Sequence, residues 1–158
     1  MRRTDREITD RQELLDVMER FDVCRLALND ESGYPYVVPL NFGMEERDGT
    51  LYLLFHGAMT GTKYDRMEQD PRATFEMDCG HQLMRAEQAC SYSCAYRSIM
   101  GSGTIRELTE PQEKYEALNA IMRHMTGRNW EMTEPAVARV SVFAIRAERW
   151  TGKRSPAN

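Results

Sequence analysis

Short strand-like runs, each closed by a turn signal, recur along most of this chain, and they constrain its fold more than any other feature. Residues 23–29 read as a strand ending in Asp30-Glu31-Ser32-Gly33, a turn that invites a hairpin. The return strand, 34–44, is interrupted by Pro35 and Pro39. Proline cannot donate to a ladder, so part of this strand must lie at an edge, at a bulge or against a ligand. Arg47-Asp48-Gly49 makes the next turn, before a strand over 51–56. Further strands are predicted over 72–78, 91–108 (bent at Gly101 and Gly103) and 136–150, while 79–90 reads as a loop with a short extended piece. Six or seven mainly antiparallel strands at this density favour a closed barrel over an open sheet, because closure removes edges.

Three helices accompany them. Thr9-x-x-Gln12 has the form of a capping box, followed by Leu14, Leu15, Met18 and Phe21 at helical spacing, which predicts a helix over 10–20. A short polar helix over 62–69 is stopped by Asp70-Pro71. Thr109-x-x-Gln112, with Pro111 in the first turn, opens a third helix whose stripe (Tyr115, Leu118, Ile121, Met122, Met125) ends at Gly127. That stripe is expected to pack on the sheet. Residues 1–8 are mostly charged and read as an extended arm. With neither repeats nor low-complexity linkers, one domain over 1–158 is expected.

Lys plus Arg number 21 against 25 Asp plus Glu, a net charge of −4, so nothing favours a nucleic-acid or anionic-membrane partner. No apolar run approaches the ~18 residues of a membrane span, and Met1-Arg2-Arg3 lacks a following apolar segment, so a cytoplasmic protein is expected. Four cysteines in such a chain read as free thiols, and most of the eleven methionines as core filler. Cys79, His81, Cys90 and Cys94 put four soft ligands within sixteen residues, which keeps a structural zinc site open beside the reading of buried hydrophobes.

Residues 51–66 carry the strongest chemical signal. The run begins as a strand, with Leu51, Leu53 and Phe55 on one face and Tyr52, Leu54 and His56 on the other. It breaks at Gly57 and Gly61 and restarts as a helix from Thr62. A hydroxyl, the cations Lys63 and Arg66, and the free N–H groups of a helix start would then lie near one point, as a phosphate requires. The spacing matches neither a P-loop nor a dinucleotide fingerprint. A plain strand–loop–helix corner with solvated basic residues is the alternative.

The segments MRRTDRE at the start, GYPYVVPLNFG over 33–43, 51–63, and YRSIMGSG over 96–103 together resemble the pyridoxamine 5′-phosphate oxidase-like flavoproteins, and within them the 5-nitroimidazole resistance branch. The resemblance runs from about residue 1 to 154. It implies a mainly β fold with flanking helices, a six-stranded antiparallel Greek-key split β-barrel. It also implies a homodimer with one FMN in each of two clefts between subunits. The backbone of Val37, Val38, Pro39, Leu40 and Asn41 would lie along the isoalloxazine ring, which gives Pro39 a reason for its position. Thr62 and Lys63 would hold the phosphate, Phe55 and His56 would stand beside the flavin, and Ser98 and Ile99 would reach it from a neighbouring strand. Trp150 and Lys153 resemble flavin contacts supplied across the dimer interface. The extra basic segment of true pyridoxamine oxidases is missing, so vitamin B6 oxidation is not implied.

The activity implied is an FMN-dependent reductase passing electrons from NAD(P)H to nitroaromatic or similar small oxidants, with His56 the candidate proton donor. A non-catalytic FMN-binding or flavin-shuttling protein shares the same residues. A haem-binding split barrel is a further alternative, with His56, His81 and His124 the available ligands.

Overall fold

A computed structural model of the chain describes residues 3–155. Its strands are β1 (Glu7–Ile8), β2 (Cys24–Leu28), β3 (Tyr36–Leu40), β4 (Gly43–Arg47), β5 (Thr50–Gly57), β6 (Arg72–Met84), β7 (Ser93–Glu107) and β8 (Ser141–Ser155). The helices are α1 (Arg11–Met18), α2 (Thr62–Gln69), α3 (Pro111–Thr126) and α4 (Glu134–Ala138). All eight strands join one antiparallel sheet in the order β3-β2-β6-β7-β8-β5-β4, with β1 pairing β8 outside that path.

The sheet curls around one apolar core. Leu26 and Leu28 of β2, Phe75 and Met77 of β6, Ile99 of β7 and Phe143 of β8 meet Leu53 and Phe55 of β5 there, and Tyr36, Val38 and Leu40 of β3 pack against it. Both ends of the path thus face the same interior, yet no ladder joins β3 to β4. The barrel is split, and the expected closure does not occur. Pro39 at the β3 edge has no N–H to offer a further ladder, and the chain turns at Asn41 and Phe42 before β4. Phe42 is wholly buried, and Gly43 meets α3 so closely that a Cβ would stand 2.6 Å from Ile121 N. The single return strand expected over 34–44 therefore becomes two strands. With β1, this raises the count to eight against the six or seven expected.

A second core lies outside the sheet, where Leu118 and Ile121 of α3 and Val137 of α4 cover Leu54, Val142 and Ala144. This explains why β5 is apolar on both faces: Leu53 and Phe55 face the barrel, while Leu54 faces α3.

Local signals place most elements, with instructive departures. Asp10, not Thr9, caps α1, its side chain accepting from Glu13 N at 2.7 Å, and the helix ends at Met18. Helix α2 spans the expected 62–69, and Gly127 ends α3 with φ 77°. Pro111 opens α3, but the neighbouring Glu110 makes no side-chain cap, so the box expected at Thr109 does not form. Strand β6 continues through the region read as a loop, because a register shift between Cys79 and Gln82 lets it keep pairing with β7. The last strand starts at Ser141 and not at 136, since 134–138 form α4 behind Pro135. Of the arm expected over 1–8, residues 1 and 2 lie outside the described residues. The rest forms a single 3-10 turn (Thr4–Arg6) and β1, which pairs Glu7 with Lys153.

Candidate functional site

The Gly57–Lys63 corner is built by β5 running out of partners. His56 and Gly57 are its last residues, paired with Val142 and Ser141 of β8. The chain then reaches Gly61, whose φ of 115° suits glycine, and enters α2 with no side-chain cap. Among the described residues, the first N–H groups of α2 therefore have no side-chain cap, and they lie at the positive end of the helix dipole.

Lys63 lies over this opening. Its Nζ stands 5.3 Å from the centroid of the Phe143 ring, and its end lies across Gly57, in the space a Cβ at that position would take. Burial lowers its pKa. Among the described residues, Lys63 makes no salt bridge. His56, exposed on one side, has its imidazole pKa lowered first by desolvation and then by the Lys63 charge. Thr62 is exposed at the same corner. Arg66 points elsewhere: its buried Nε stands 2.7 Å from Asp30 Oδ2, out of hydrogen-bonding alignment. One cation, not two, thus serves the corner. A partly buried ammonium with no carboxylate, a helix start with free N–H groups and a glycine cradle fit a phosphate.

The second expected element is also present. Among the described residues, strand β3 pairs only with β2, so its other edge has no strand partner there. Val37 and Pro39 face outward, while Val38 and Leu40 pack inward. Asn41 is exposed, its amide donating to Asp22 O at 2.8 Å. An unpaired backbone edge fits a planar ring with polar margins.

The remaining residues divide between the two faces of the sheet. Ser98 and Lys153 are directly opposite each other across β7 and β8 and share the outward face. Ile99 and Phe55 are wholly buried in the barrel core. Trp150 packs against that core from its rim, under the Arg11 guanidinium at 5.3 Å. The structure brings His56, Thr62 and Lys63 together. It places Val37 and Pro39 on the outward sheet face with Ser98 and Lys153, as a separate group.

The other soft ligands have local partners. His124 Nε2 lies 2.7 Å from the Phe21 carbonyl, with its ring 4.5 Å from Phe42, and His81 pairs with Asp78 at 2.8 Å. Burial pushes the Cys24 thiol up to about 12 and raises that of Cys79, while Cys90 and Cys94 are exposed. Among the described residues, no three His, Cys, Asp or Glu side chains gather as a metal site, so the zinc alternative finds no cluster. Nor is any helix among them long and apolar enough to cross a membrane.

Sequence reasoning missed Phe143, Tyr64 and Glu107 at this corner. Phe143 reaches Lys63 only through the Phe55–Phe143 register of β5 and β8, which no local pattern shows. Tyr64, adjacent to Lys63, could have been flagged as part of the helix start.

A family model described as pyridoxamine 5′-phosphate oxidase matches residues 10–154. No curated protein matches the chain. A solved structure from Bacteroides thetaiotaomicron, provisionally assigned as a 5-nitroimidazole antibiotic resistance protein, is 33% identical. That match covers 94% of this chain and 86% of that one, with a TM-score of 0.81. The FAD and haem binding protein from Mycobacterium smegmatis is 22% identical, covering 96% and 74% of the two chains with a TM-score of 0.81. The flavocytochrome Anf3 from Azotobacter vinelandii is 17% identical, covering 99% and 72% with a TM-score of 0.80. The latter two share the fold. With the split barrel, the phosphate-fitting corner and a match over most of its length, this chain belongs to the pyridoxamine 5′-phosphate oxidase family of flavin-binding proteins.

Proposed function

We propose that this chain binds FMN and reduces small oxidants, nitroaromatic compounds among them, with electrons from NAD(P)H. The observation that carries the reading is Lys63, a partly buried ammonium without a carboxylate partner among the described residues, at the uncapped start of α2. Such a charge is stabilised by an anion, and a flavin mononucleotide phosphate supplies one. FMN, when bound, supplies the redox chemistry.

The chain's own residues position and protonate. Lys63, Thr62 and the first α2 N–H groups hold the phosphate. The free edge of β3, from Val37 to Asn41, lies along the ring. Ser98, Trp150 and Lys153 contribute contacts from β7 and β8, while Ile99, buried in the barrel core, supports the strand beneath Ser98. Lys153 on the outward sheet face and Trp150 at the rim of the core both stand apart from the Lys63 corner of their own chain, so in a homodimer they reach the flavin from the second copy. His56 is the proton carrier. Its lowered pKa keeps it neutral at neutral pH, and a phosphate beside Lys63 offsets the lysine charge and restores its affinity for a proton.

The test is an absorbance spectrum of the purified protein before and after FMN is added, repeated with Lys63→Ala. Bound-flavin maxima that Lys63→Ala largely abolishes, together with NAD(P)H-dependent nitroreduction, support the reading. A flavin-free spectrum in which added FMN shows no bound-flavin maxima refutes it, and haem would then be titrated. Bound flavin with no NAD(P)H oxidation leaves a flavin carrier and removes the enzyme.

A further inference from the structure

We infer that Glu107 is a positioning residue for the anion-binding end of α2, acting through Tyr64; this rests on the phosphate reading of the corner. Glu107 closes β7, and both of its oxygens are engaged. Tyr64 OH donates to Oε2 at 3.0 Å, and Ser141 Oγ donates to Oε1 at 2.9 Å. The two donors belong to opposite sides of the corner. Tyr64 follows Lys63 in the first turn of α2, whereas Ser141 opens β8 and stands opposite Gly57. The carboxylate therefore ties the helix start to the strand pair that carries Gly57 and His56.

The far end of α2 is held by different contacts. Arg66 stands against Asp30, and Asn29 Nδ2 donates to Asp70 Oδ2 at 2.8 Å, both linking it to the β2–β3 side. Among the described residues, the first turn of α2 makes one side-chain hydrogen bond to the rest of the chain, and it ends on Glu107. Packing does not replace that tether. A cavity of about 200 Å³ lies beneath the helix, lined by Tyr64, Met67, Ile105 and Phe143 among others. Met67 packs against the barrel core and holds the middle of α2, whereas the cavity leaves packing at the first turn incomplete, so the polar tether sets the angle there.

Phosphate recognition depends on that angle, because helix N–H groups bind an anion only when aimed at it. Ring binding along β3 does not. Loss of the tether therefore costs the phosphate contribution selectively. Ser141 is 2% exposed, so removing the carboxylate also leaves a buried hydroxyl without its acceptor; removing only the Tyr64 oxygen does not.

The experiment titrates FMN and riboflavin separately against the full chain and against Tyr64→Phe, Glu107→Ala and Glu107→Gln. Wild type is expected to prefer FMN. Tyr64→Phe and Glu107→Ala should reduce that preference by about tenfold, the scale of one hydrogen bond to a charged group, with riboflavin affinity unchanged. Glu107→Gln, whose amide oxygen still accepts, should retain more of it. Variants that keep the wild-type preference overturn the inference. Equal weakening of both ligands also overturns it, since Glu107 would then be merely structural. If wild type itself does not distinguish FMN from riboflavin, the phosphate reading fails and the positioning role with it. Should Glu107→Ala fail to fold, Tyr64→Phe decides the matter, because it leaves the Ser141–Glu107 bond in place.

Discussion

Lys63 folds back across Gly57, so that its Nζ occupies the space a side chain at position 57 would need. The glycine makes room for the lysine and is not demanded by the backbone, since Gly57 is not among the positive-φ glycines. The obstructing atoms are the end of a flexible side chain, so Gly57→Ala should fold normally and displace Lys63. FMN affinity is expected to fall by about tenfold, the scale of one charge-assisted contact, with little change in Tm. A flavin titration beside a thermal melt checks this, and undiminished FMN affinity would remove Gly57 from the site.

His56 should titrate below its ordinary value of 6.5, because desolvation and then Lys63 disfavour the imidazolium. A depressed folded-state pKa means the unfolded chain binds more protons between the two pKa values, so stability rises with pH there. The contribution is complete above about 6.5 and is lost as pH falls through the folded pKa. An NMR titration of the His56 ring should show an upward shift in Lys63→Ala and on adding FMN. No shift in either case would separate His56 from the Lys63 charge.

Gly43 faces backbone, not side chain: a Cβ would lie 2.6 Å from Ile121 N and 2.7 Å from the Ala120 carbonyl carbon. Neither can move without shifting α3, so Gly43→Ala is expected to destabilise by about 2 kcal/mol and lower Tm by roughly 4–8 °C. Thermal denaturation checks it, and an unchanged melt would show that α3 rides loosely on β4.

His124 is a structural link between α3 and the segment after α1, through the Phe21 carbonyl. Because a carbonyl only accepts, the proton sits on Nε2. His124→Ala should cost about 1–3 kcal/mol of stability while leaving the spectrum of bound flavin unaltered. Cofactor loss at a temperature where the variant remains folded would contradict this role.

Much of the sheet was legible because strand alternation is local. Ala73, Phe75 and Met77 were separable from Thr74, Glu76 and Asp78 by period alone, and the first three are buried as that period requires. The β6 continuation to Met84 was not legible. Gly80, at φ 68°, marks a loop in sequence, yet pairing with β7 resumes beyond the register shift and keeps the strand. Strand and helix also competed over 134–138, where Pro135 and the α3 contact decided for α4. Of the site, Lys63, Thr62 and His56 could be read as neighbours because a strand end and a helix start flank one short loop. Arg66 could not be excluded, since its turn toward Asp30 depends on the β2–β3 turn lying beside α2.

By itself, then, the sequence determined what acts within a few residues: strand faces, the glycine before α2, the end of α3 at Gly127, and the prolines that leave β3 an edge. Only the tertiary structure decided that Phe143 lies under Lys63, that Glu107 joins Tyr64 to Ser141, and that Gly43 meets Ile121. The physical reason is reach. Dihedral preferences and caps act through bonds and nearest neighbours, whereas these contacts follow from the register of strands distant in sequence, set by the burial of two cores at once.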